Sequence, residues 1–293
     1  MIVNQNLQNS DATAVLDPPV FDEEEIYFPT AWEYQEEYYD DSAPQAPLVS
    51  VVGASGGVGR STIALCTAFL AAQSGIDTVL IEGDLHFGDY GFWLGLDDEL
   101  PNLADDCAEP IHLAQNLDFY KAPVFPEFAD EVADSVIAQL GFIRSNRGLV
   151  IVDTGAFWSG FVADLLLQSN AFLMLVDNRS SSVAGAVRAC ELCSRIQVPL
   201  VRMLAVYNKW NSRLRISAHE AQKALGAHEM FCIPDGKGVV DELTSSGNFE
   251  ELLEIDNPMI QGVKELLASL LPRVGHLYSD APLKNKGGLF WRD

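Results

Sequence analysis

Residues Leu48-Val-Ser-Val-Val-Gly-Ala-Ser-Gly-Gly-Val-Gly-Arg-Ser-Thr62 decide how the rest of the chain is read. A β-branched run from Val49 to Val52 breaks into a glycine-rich turn, and a helical pattern from Ser61 to Gln73 follows. That order builds a phosphate cradle. Glycines 56, 57 and 59 let backbone N–H groups converge on an anion, and the helix start adds free N–H groups and the positive end of its dipole. The candidate contacts run from Ser55, Gly56 and Gly57 through Val58 and Gly59 to Arg60, Ser61 and Thr62. The pattern G-x-x-x-x-G-K-[ST] is met incompletely, with Ala54 for the first glycine and Arg60 for the lysine. Ser61 keeps the hydroxyl that Mg²⁺ needs. A planar guanidinium places its charge differently from an ammonium, so binding of a triphosphate survives this change better than hydrolysis does. The competing reading is a tight βα turn that binds nothing.

The chain has 293 residues, 48% of them hydrophobic, enough for one substantial core and a single α/β domain with tails. It has no run of 18 apolar residues and no basic-then-apolar leader, which reads as a cytoplasmic protein. Five cysteines argue against a disulfide framework, and Cys190 and Cys193 fit one helix face better than a metal site. The net charge is −24, and residues 1–59 hold eleven acids with no Lys or Arg. An acidic body disfavours DNA and anionic lipid except through local patches.

Residues 1–47, acidic and proline-bearing with aromatics such as Tyr27, Phe28 and Trp32, read as a disordered tail that is either solubilising or a docking motif. Beyond the loop, Thr78 to Glu82 is a strand. It leads to Asp84, placed to serve Mg²⁺ or an attacking water at the sheet edge, with a turn-forming Asp as the alternative. Residues 101–115 read as weak helix and loop, Leu117 to Tyr120 as a strand, and Phe128–Arg144 as an amphipathic helix. Gly148 to Asp153 is a buried parallel strand ending on a carboxylate, and Asp153 is assigned to the Mg²⁺ shell with Ser61. Strands at Ala171–Asp177, Leu200–Tyr207 and Met230–Ile233 alternate with helices at Val183–Ile196, Ala218–Leu225 and Ile260–Leu271. This alternation predicts a doubly wound, mostly parallel sheet with helices on both faces.

With these motifs in order, residues 48–272 resemble the MinD/ParA group of deviant P-loop ATPases, most closely its CpaE/TadZ pilus-assembly branch. The resemblance rests on Ser55 to Thr62, on Val79-Leu-Ile-Glu-Gly-Asp-Leu-His-Phe-Gly-Asp89, on Val150 to Asp153 and on Val206-Tyr-Asn-Lys209. It implies a homodimer that binds ATP or ADP with Mg²⁺ and recruits pilus or secretion machinery, with Asn208, after the sixth strand, contacting adenine. The sequence also departs from that pattern: Ser55 replaces the lysine that crosses the family's dimer, Arg60 the loop lysine, and Glu82 the first Asp of D-x-D. Loss of a transition-state cation costs on the order of 10³-fold in related sites, so hydrolysis is expected to be weak or absent. The alternatives are an active ATPase for partition or septum placement and, ranked lower, a tyrosine autokinase.

Two segments remain. Residues 188–223 carry seven cations against two acids, an expected solvated surface that could also meet the acidic tail, while the resemblance to ParA implies non-specific DNA binding there as the alternative. In the C-terminal tail, 273–293, Lys284, Lys286 and Arg292 with Leu289, Phe290 and Trp291 resemble a shortened MinD membrane grip, which would place the protein at the inner face of the membrane. A frayed end is the alternative.

Overall fold

A computed structural model describes residues 45–105, 108–211 and 215–276. Its centre is an eight-stranded sheet. The strands are β1 (Leu48–Val52), β2 (Thr78–Glu82), β3 (Ile111–Ala114), β4 (Leu117–Tyr120), β5 (Leu149–Asp153), β6 (Ala171–Val176), β7 (Met203–Trp210) and β8 (Met230–Pro234). Their order is β3-β4-β2-β5-β1-β6-β7-β8, and every pairing is parallel except β3 with β4. The expected α/β fold class is therefore observed.

The strands alternate between two buried faces. Val49 and Val51 of β1 join one core with Leu80, Ile151 and Leu173, where α1 (Arg60–Gln73) contributes Ile63, Leu70 and Phe69. Val79, Ile81, Val150 and Val152 point the other way. There they meet α3 (Ala129–Arg144) and α4 (Gly160–Gln168), the short α2 (Tyr90–Trp93) having intervened in sequence. Continuous Val/Ile/Leu runs are what a sheet covered on both faces requires. Cys190 and Cys193 lie buried on α5 (Ser180–Arg195) and are free thiols, in keeping with core packing. The remaining helices are α6 (Ala218–Leu225), α7 (Gly238–Ser245), α8 (Phe249–Glu254) and α9 (Pro258–Arg273). None of the described helices is long and apolar enough to cross a membrane.

Several expectations are corrected. Residues 101–115 are not weak helix and loop throughout, because Ile111–Ala114 forms the antiparallel edge strand β3. It turns back on β4 through Asn116, whose φ of 65° suits a tight turn. Leu200–Arg202 is a 3₁₀ turn, closed by Arg202 N–H donating to Pro199 O, so β7 starts at Met203 and continues to Trp210. The body also includes residues before Leu48: Gln45 bridges to Ser145, and Ala46 is buried. Residues 1–44 and the tip from Lys284 to Arg292 lie outside the described residues, as do the docking and membrane-contact readings placed on them.

Candidate functional site

The sheet positions the site. The segment from Gly53 to Gly59 leaves the carboxyl end of the central strand β1, flanked by β5 and β6, and enters α1. Gly57 and Gly59 have φ of 71° and 89°, which side-chain-bearing residues rarely adopt. Gly59 has a second reason to be glycine: a Cβ there would collide with Asn208 Nδ2. Val58 is fully buried and anchors the turn, while Gly56 and Gly57 are exposed at its tip.

The loop's carbonyls are held by side chains. Arg60 Nη1 donates to Gly53 O (3.1 Å) and Ser55 O (3.3 Å), Arg179 Nη2 to Gly56 O (2.8 Å), Lys209 Nζ to Gly57 O (3.0 Å) and Asn208 Nδ2 to Val58 O (2.8 Å). Four side chains thus brace one turn. Asn208 lies inside β7 and not after it, because the strand runs on to Trp210, and its amide is directed at the loop. Burial pushes the Arg60 guanidinium below its ordinary value, opposed by the Asp153 and Asp84 carboxylates. Among the described residues, Arg60 Nε is buried without a partner.

Ser61 and Asp153 do meet. The Ser61 hydroxyl donates to Asp153, which leaves its oxygen lone pairs for a cation. Asp153 also accepts from Tyr90 OH at 3.1 Å, and the same hydroxyl lies 2.9 Å from Ser61 O, so one phenolic proton serves two acceptors. Burial raises the Asp153 carboxyl above the ordinary range, while the bonds from Ser61 and Tyr90 and the charge of Arg60 oppose the shift. Asp84 packs beside Gly155, where a Cβ would lie 2.6 Å from its carboxylate, and it accepts from Phe87 N–H at 3.2 Å. It therefore sits at the site and also stabilises a turn. Next to it opens a cleft of about 320 Å³ lined by Asp84, His86, Asp130, Asp134 and Phe157.

Sequence reasoning missed Tyr90 and Arg179, and it gave Lys209, the last residue of Val206-Tyr-Asn-Lys209 and part of the basic segment, no role of its own. The interactions of Arg179 and Lys209 span more than a hundred residues, and neither position carries a local signal. Tyr90 does carry one: it opens the aromatic-rich run Tyr90-Gly-Phe-Trp93, a pattern that points to burial.

Glu82, at the departed D-x-D position, is buried and accepts from Tyr90 N–H (2.8 Å) and Ala122 N–H (2.9 Å). Desolvation nevertheless raises its carboxyl to about 7, and the nearby Asp153 and Asp84 add to the rise. The folded state then holds a proton that the unfolded chain releases near the ordinary value of 4.5. Glu82 accordingly makes stability fall as pH rises from about 4.5 to about 7, by up to about 3 kcal/mol. Urea unfolding at pH 5 and pH 8 should show a flatter dependence in Glu82→Gln than in the native protein. An unchanged slope would contradict this.

No family model matches the sequence, and no curated protein matches it either. Solved structures do resemble it. A ParA family ATPase from Chlorobium tepidum TLS aligns with a TM-score of 0.63 at 21% identity, covering 76% of this chain and 98% of that one. The fold is the ParA/MinD fold. The septum site-determining protein MinD from Pyrococcus horikoshii OT3, complexed with Mg-ADP, aligns with a TM-score of 0.66 at 16% identity over 78% of this chain and 98% of that chain. A putative plasmid partition protein from Borrelia burgdorferi B31, bound to AMPPNP, aligns at 0.63 and 15% over 78% and 100%. The ParA/MinD likeness thus takes in nearly the whole of each solved structure.

Proposed function

We propose that the loop from Gly53 to Ser61 binds ATP or ADP with Mg²⁺, and that the chain acts as a CpaE/TadZ-type localisation factor. In this reading it is a homodimer that recruits pilus or secretion machinery and turns nucleotide over slowly or not at all. The observation that carries it is the braced, glycine-tipped loop opening onto the Ser61–Asp153 pair. The residues fit the ligand. Arg60 Nε lacks a partner, α1 begins with no side-chain cap, and the Ser61 oxygen, donating its proton to Asp153, keeps its lone pairs for a metal.

Backbone N–H groups from Ser55 to Gly59, with Arg60, Ser61 and Thr62, hold the phosphates. Ser61 would hold the metal, with Asp153 and Asp84 nearby, and Asn208 would keep its amide oxygen for the base. Mg²⁺ held there would supply charge neutralisation to the phosphates. Slow turnover follows from Ser55 in place of a lysine and from Arg60, which is turned onto Gly53 O and Ser55 O. The homodimer draws on Phe87 and Phe157, both exposed beside His86 at this end of the sheet. Membrane contact through Lys284, Lys286, Leu289, Phe290, Trp291 and Arg292 stays part of the proposal.

The second reading, an active ATPase, draws on Arg179 and Lys209, which bring two further cations to the loop. Phosphate release from Mg-ATP, followed over hours with the full chain, separates the two readings. Release no faster than in Ser61→Ala and Asp84→Ala is expected. Clear turnover that both substitutions abolish would establish the ATPase.

A further inference from the structure

The tip of the loop holds more charge than bracing requires. Asn208 shows that a neutral amide suffices to hold a loop carbonyl, Val58 O. Gly56 O and Gly57 O instead accept from full cations in a chain whose net charge is −24. Each cation is aimed by its own device. Asp177, buried, holds Arg179 through a fork, with Nε 2.8 Å from Oδ2 and Nη2 2.6 Å from it, and Arg179 Nη2 then reaches the loop. Lys209 adopts φ 56° where the β7–β8 register shifts between Tyr207 and Trp210, and this bend turns its side chain back over the loop. Among the described residues, no carboxylate pairs with Lys209.

Gly56 leaves the backbone at the tip open: it lacks a positive φ, and among the described residues a Cβ on it would meet nothing within 4 Å.

We infer that Arg179 and Lys209 are anion-binding residues at the loop tip, which engage the phosphates of a polyphosphate ligand. Both are exposed and can leave their carbonyls for a phosphate oxygen, a better acceptor. This rests on the reading of the loop as a phosphate site and adds residues to it from β7 and from the turn before α5.

The test is calorimetry on the full chain with Mg-ATP and, separately, inorganic tripolyphosphate, at low and high salt. Lys209→Gln and Arg179→Gln each lose the charge and keep a neutral amide donor on a shorter side chain. Each is expected to weaken both ligands about tenfold at low salt, the scale of one charge-assisted hydrogen bond, and less at high salt. Lys209→Arg and Arg179→Lys keep the charge and should each bind more tightly than the matching Gln variant. Gln variants that bind like the native protein, or Arg and Lys variants that lose as much as Gln, would overturn the inference and leave the nucleotide reading standing. A native chain that binds neither ligand would overturn both. Thermal unfolding of every variant separates lost binding from lost fold, and a Gln variant that unfolds is judged by its charge-preserving counterpart.

Discussion

Gly59→Ala is expected to remove Mg-ATP binding and to destabilise the protein by about 2–5 kcal/mol, two effects with one origin. A residue with a Cβ loses about 1–2 kcal/mol in the left-handed conformation that Gly59 adopts at φ 89°. Its Cβ would also collide with Asn208 Nδ2 and force the amide off Val58 O, at about 1–3 kcal/mol for the buried groups left unpaired. Gly75 provides the control. It has φ 87°, but among the described residues a Cβ there meets nothing within 4 Å, so Gly75→Ala should show the backbone cost alone and keep nucleotide binding. Urea unfolding of the two variants measures the difference. Equal destabilisation would mean that Asn208 does not brace the loop.

Tyr90→Ala is expected to cost about 3–5 kcal/mol, as a large aromatic side chain is removed from a closed core. Tyr90 is 1% exposed and packs its ring against Trp93 and Phe119, with centroids 5.8 Å away in both cases. Tyr90→Phe separates the ring from the hydroxyl. It keeps the packing and removes the donor that Asp153 Oδ2 and Ser61 O share, for an expected loss of about 1–3 kcal/mol. Ser61 still donates to Asp153 in that variant, so Mg-ATP binding should weaken far less than in Ser61→Ala. Denaturation with calorimetry on the same preparations checks both parts. A Tyr90→Phe variant as stable as the native protein would show that the hydroxyl contributes nothing there.

The sheet is legible in the sequence because its strands are continuous apolar runs: Val49 to Val52, Leu149 to Val152 and Ala171 to Val176 are buried on both faces and read as strands without tertiary information. α1 and α3 carry comparably clear helical patterns. Helix α4 escapes the sequence reading although Phe161, Val162, Leu165 and Leu166 recur at helical spacing, so the signal is present. β3 is different. Four residues on a sheet edge, most of them only partly buried or exposed, carry too little apolar alternation to stand out, and the turn at Asn116 is the available cue.

At the site, the loop and the carboxylates at strand ends are legible because local spacing determines them. The bracing is not. Arg179 reaches Gly56 across 123 positions and Asn208 reaches Val58 across 150, contacts that exist because β6 and β7 follow β1 in the order of the sheet. In sequence, Glu82 is only a departure from D-x-D. Its two backbone partners show a carboxylate that ties the start of α2 and the end of β4 to β2.

Calorimetric titration of the full chain with ATP and with ADP, in the presence of Mg²⁺, tests the central claim most directly. Saturable binding of at least one nucleotide is predicted, lost in Gly59→Ala and retained in Gly75→Ala. A folded native protein that binds neither nucleotide would contradict the account and leave an interaction module on a ParA/MinD fold.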